Sequence, residues 1–113
     1  MKSNSMNKLM IKNIYMDRLE RGADLIASLT NIAISKGIMI GMIRGIGALS
    51  KAKLLSYDFE AKKYREIIFN KEMEILNFSG NITVKDDLPF IHAHVTLADS
   101  KGRAFGGHIA TGS

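Results

Sequence analysis

The sequence has 113 residues, 46% of them hydrophobic and 24% charged, with a net charge of +5 and no cysteine. That length and mix read as one globular domain, residues 1–113, able to hide roughly 65% of its unfolded surface. The lack of cysteine excludes a disulfide framework and a thiolate metal site, and no apolar run reaches the ~20 residues of a membrane helix.

The N-terminus, MKSNSMNKLMIK, holds no long apolar stretch, so no secretory signal is expected and the reading is a cytoplasmic protein. Its first eight residues are polar and are expected to fray. Leu9 to Glu20 mixes apolar and polar residues with a rough period of two and predicts an opening strand. Gly22 to Gly37 predicts the one clear helix. Asp24 can cap its start, Leu25, Leu29, Ile32 and Ala33 make one apolar stripe, and Gly37 suits the left-handed position past its end.

Ile38 to Phe59 reads as two strands or one bent pair. Gly45-Ile46-Gly47 resembles a fragment of a phosphate-binding loop, but no Gly-Lys-Ser/Thr and no helix follow it, so bends in a sheet are the better reading. Phe59 to Phe69 gives a polar turn and a strand, and Lys71 to Val84 another. The charged run around Asp86 and Asp87, with the lone proline Pro89, marks a loop. Phe90 to Ala98 and Arg103 to Ala110 then predict a hairpin. The fold class is α+β, with one main helix and a largely antiparallel sheet of six or seven strands.

All three histidines fall in this last hairpin: His92, His94 and His108. Alternation puts His92 and His94 on one face. A three-residue loop, Ser100 to Gly102, pairs positions summing to 202 and sets His94 opposite His108. A four-residue loop turns His108 to the other face. In the first case three neutral imidazoles can hold zinc or another divalent ion with one position open. The alternative is a polar strand face or a subunit contact. Glu74, between Met73 and Ile75, is the carboxylate of most interest, with simple outward alternation the favoured account. Asp86 and Asp87 read as solvated and Asp99 as a turn residue.

Three segments resemble the plant and prokaryote conserved domain family: GIGAL at 45–49, MEILNFSGNI at 73–82, and PFIHAHVTLADSKGRAFGGHI at 89–109. The resemblance implies an α+β fold and a homotrimer. In plants the domain accompanies AT-hook motifs in nuclear DNA-binding proteins and contacts partners through Gly-Arg-Phe-Glu-Ile-Leu. Here the matching positions are Lys71 to Leu76, of which Glu74, Ile75 and Leu76 agree. No AT-hook is present, and the further β segment that the family carries beyond Gly-Gly-His is missing from this sequence. Three functions follow as expectations: a non-enzymatic trimeric interaction domain acting near DNA, a metal-binding protein or metal-dependent enzyme built on the histidines, or a purely structural role for them in subunit packing.

Overall fold

The computed structural model describes residues 5–113. One helix, α1 (Leu25–Lys36), precedes six strands: β1 (Gly41–Leu49), β2 (Ala52–Asp58), β3 (Lys63–Phe69), β4 (Met73–Lys85), β5 (Leu88–Ala98) and β6 (Ala104–Ile109). They form a single sheet in the order β1-β4-β5-β6-β2-β3, and every pairing is antiparallel.

The helix forms where its local signals place it. Asp24 accepts from the Ala27 N–H at 3.0 Å, and Gly37 takes the left-handed conformation, φ 67°, past the last turn. Ala33 is buried, and Leu25, Ile26 and Leu29 pack against the core. Ile32, expected in that stripe, is only partly buried and stands outside the core, and Ile26 takes its place.

That segment corrects the reading of an opening strand. Residues 9–20 carry no regular secondary structure, and Leu9, Ile11 and Ile14 are exposed. Period-two apolar spacing favours an extended chain, but a strand also needs a ladder partner, and none of the six described strands supplies one.

The sheet is strongly curled, and chain connectivity says why. Ser50 and Lys51 alone link β1 to β2, so Leu49 and Ala52 lie at most about 11 Å apart. Four strand spacings separate β1 from β2 in the sheet, about 19 Å if it were flat. Only curling closes that gap. Irregular register near Gly45–Gly47 in β1 and around Leu76 in β4 supplies bends in that half of the sheet.

One face of the sheet is the core. Leu54, Met73, Leu97 and Ile109 are the largest fully buried side chains, joined by Ile75, Phe78, Ile82, Ile91, Ala93 and Val95, with α1 packed over β5. Along β5 the alternation is strict from Pro89 to Leu97, with odd positions buried and even positions exposed. The predicted loop at 85–89 is tighter than expected. Asp86 and Asp87, both at positive φ, form a two-residue turn, and Leu88 and Pro89 already belong to β5.

Candidate metal centre

The β5–β6 hairpin decides where the histidines stand. Gly102 adopts φ 76°, Asp99 donates its N–H to the Arg103 carbonyl at 3.0 Å, and His94 pairs with His108 in a register that runs on to Ala98 and Ala104. This is the three-residue loop. The Asp99 carboxylate holds the turn from within: it accepts from the N–H groups of Lys101 and Arg103, each at 2.9 Å, and from Arg103 Nε at 2.7 Å. Burial pushes the Asp99 carboxyl up, but the Arg103 backbone and guanidinium and the Lys101 N–H outweigh it and hold the group below its ordinary range. Asp99 is thus the turn residue the sequence suggested, with a role in fixing the register.

With that register, His92, His94 and His108 converge on the face opposite the core. Their ring centroids lie 5.1, 4.8 and 6.0 Å apart, and one nitrogen from each falls within 4.8 Å of the others. A tetrahedral ion with 2.0–2.1 Å bonds needs nitrogens about 3.3 Å apart. Ring rotation closes the difference, and His92 and His94 are exposed and free to make it.

Two further observations fit a metal. His108 Nδ1 is shielded from solvent and has no hydrogen-bond partner, the kind of orphaned atom that a ligand satisfies. Partial burial, and then the neighbouring His92 and His94, hold the His108 pKa below its ordinary value, which keeps the lone pair that coordination requires.

The surroundings include residues that the sequence reading did not single out. One row crosses the sheet from edge to edge through paired positions: Arg44, Ser79, His94, His108, Leu55 and Glu66. Asn81 pairs with His92. The Tyr64 ring lies 5.9 Å from that of His108. The signals were there in part. Arg44 interrupts an apolar run, and Ser79 and Asn81 alternate with buried Phe78 and Ile82, but the pairing of β1 with β4 is a long-range fact.

The other candidates lie apart from the histidines. Glu74 is exposed, at the far end of β4, beside the irregularity at Leu76. Ile75 is turned into the core and Leu76 is half-exposed. Asp86 and Asp87 sit at the exposed β4–β5 turn.

A family model described as the Plants and Prokaryotes Conserved (PCC) domain matches residues 6–113. The chain is similar to a plant- and prokaryote-conserved protein of Pyrococcus horikoshii, with 35% identity and a TM-score of 0.82 over 86% of this chain and 68% of that one. It is 38% identical, with a TM-score of 0.78, to a metal-containing protein of Archaeoglobus fulgidus, over 82% of this chain and 66% of that one. A candidate DNA-binding protein of Bacteroides thetaiotaomicron matches at 30% identity and a TM-score of 0.78, over 82% and 65%. Among curated proteins, the bifunctional protein GlmU of Synechococcus sp. (strain JA-2-3B'a(2-13)) is 31% identical over 100 residues. That is 88% of this chain but 15% of the relative's length.

Proposed function

The chain belongs to the Plants and Prokaryotes Conserved domain family, and on that premise we propose that it is a non-enzymatic interaction module, a cytoplasmic homotrimer that works in association with DNA. The observation that carries this reading is the kinship in fold and sequence with solved proteins described as candidate DNA-binding proteins, from Bacteroides and from Ralstonia eutropha. The net charge of +5 suits an anionic partner. Self-association has a surface to use: edge strand β1 exposes Met42 and Ile46, with Ile40 just before it. Glu74 and Leu76, flanking core-anchored Ile75, offer a contact for a protein partner. Residues 1–113 hold no AT-hook, so DNA contact by this domain falls to lysines and arginines gathered by the trimer, and is nearly sequence-blind.

Two measurements test this. Sedimentation velocity should give three times the chain mass; a monomer at micromolar concentration overturns the trimer. Fluorescence anisotropy with duplex DNA should show binding that weakens steeply between 50 and 200 mM salt. No binding at the lower salt overturns the DNA association.

A second reading rests on its own observation. The three imidazoles within 4.8 Å, with the orphaned Nδ1 of His108, favour a divalent metal centre, and the Archaeoglobus relative is described as metal-containing. An all-nitrogen set suits zinc. His92, His94 and His108 would hold the ion, and its chemistry there would be that of a Lewis acid with an open position. Elemental analysis of protein purified without an affinity tag or chelator should find about one ion per chain, and His94→Ala or His108→Ala should lose it. Unchanged metal in both variants overturns the centre.

A further inference from the structure

We infer that the three-histidine centre is completed by a small oxyanion, a carboxylate or phosphate group, held between the ion and Arg44 on one side and walled by Tyr64 on the other. The inference rests on the metal-centre reading and adds the class of ligand.

Charge is the first argument. Three neutral imidazoles leave a divalent ion with its full +2, and a buried or half-buried charge wants a counter-charge. No carboxylate stands beside the histidines in their own row. The one that shares it, Glu66, is separated from His108 by Leu55 and already holds Lys53 at 3.3 Å. Asp99, Asp58 and Glu74 lie elsewhere, the first two engaged by Arg103 and Arg65. The missing negative charge must come from outside the chain.

Arg44 is the second. It projects from the same face as the histidines, two strands from His94, about 9.6 Å between backbones. Between them stands Ser79, too short to fill the gap and able to donate a hydrogen bond. Arg65 and Arg103 each hold a carboxylate at 2.7 Å, whereas Arg44 forms no ion pair among the described residues. A guanidinium is shaped to grip two oxygens of one carboxylate or phosphate. Placed over Ser79, it meets an anion whose other oxygen reaches the ion.

The third is the wall. Tyr64 packs edge-on against Tyr57 at 5.1 Å, and its ring lies 5.9 Å from that of His108, so it flanks the β3 side of the centre. Gly106, paired with Thr96 on the histidine face, puts no side chain there, so the rings have room. Positive charge stands on one flank and an aromatic ring on the other, and the histidine face between them is open to solvent.

The test uses cobalt(II), whose visible spectrum reports its fourth ligand. The full chain is loaded with cobalt, its content is measured by elemental analysis, and acetate and inorganic phosphate are titrated separately. At about one cobalt per chain, at least one anion should give a saturable spectral change, and the tighter of the two tells carboxylate from phosphate recognition. Arg44→Gln, at an exposed position, should keep the cobalt and weaken that anion about tenfold, and Arg44→Lys should recover part of the loss. Full cobalt with no response to either anion overturns the oxyanion while leaving the metal centre standing. Equal affinity in wild type and Arg44→Gln overturns the role of Arg44. Cobalt well below one per chain overturns the metal centre, and the inference with it.

Discussion

The two faces of β5 are built to opposite rules. On one, Ile91, Ala93, Val95 and Leu97 are sealed under α1 and against β4. On the other, one residue along each time, His92, His94 and Thr96 stand exposed among Ser79, Asn81 and Arg44. The same backbone and the same hydrogen bonds serve both. The core face answers to volume and dryness, where a single methylene is felt. The open face answers to chemistry, where the side chains hold nothing together in the isolated chain and can be chosen for what they bind. Changes on the first face should therefore move stability and leave ligand binding per folded molecule alone, and changes on the second should do the reverse.

The largest effect expected is at Leu97, fully buried beneath the hairpin. Leu97→Ala should cost about 2–5 kcal/mol, read as a lower urea midpoint. The folded fraction should keep its metal. Gly80 should follow. A Cβ there would meet the Ala93 Cβ at 2.8 Å and the His92 carbonyl at 3.2 Å, so β4 and β5 would have to part. Gly80→Ala is expected to cost about 1–3 kcal/mol, and its folded fraction, like that of Leu97→Ala, should keep its metal. If Gly80→Ala were neutral, the close approach of these strands would not be a constraint in solution.

This division also explains what was legible in the sequence. Asp24 and Gly37 cap the helix by local chemistry, and both were readable. The convergence of His94 and His108 was legible only as one of two outcomes, a three- or a four-residue loop, and the structure, with Gly102 at positive φ, takes the first. The row from Arg44 to Glu66 was not legible. It depends on β1 and β2, joined by two residues, lying four strands apart in a curled sheet, which no local pattern encodes. Residues 9–20 failed in the opposite sense. Their spacing signals a strand, yet extended chain becomes strand only when another edge accepts its hydrogen bonds. Ile26 replaced Ile32 in the core for a related reason: the buried stripe of a helix is set by what it packs on, here the sheet at β5.

On the open face the expected stability effects are small. His94→Ala should change the unfolding free energy of the metal-free protein, measured in urea, by no more than about 0.5 kcal/mol, since the side chain is exposed, while abolishing metal uptake. A large loss of stability without any metal would mean that the histidines hold the sheet together, and the contrast between the faces would fail.

The smallest effect, and the sharpest, is in pH. His108 has its pKa held down by burial first and then by the other two imidazoles. A histidine in the unfolded chain takes up a proton near pH 6.5, before the folded one does. Above that pH both states are neutral and His108 contributes no pH dependence. As pH falls below it, the unfolded state gains the proton and the metal-free protein loses stability. His108→Leu should flatten the fall in urea midpoint between pH 7.5 and 5.5, whereas Arg44→Gln should leave the slope unchanged. A saturating divalent ion should act in the same window from the other side. Protons and metal compete for the same lone pairs, so the stabilisation the ion confers should fade as pH drops. Were the stability of the loaded protein independent of pH across this range, the ion would not be bound through imidazole, and the open face would have to be explained without it.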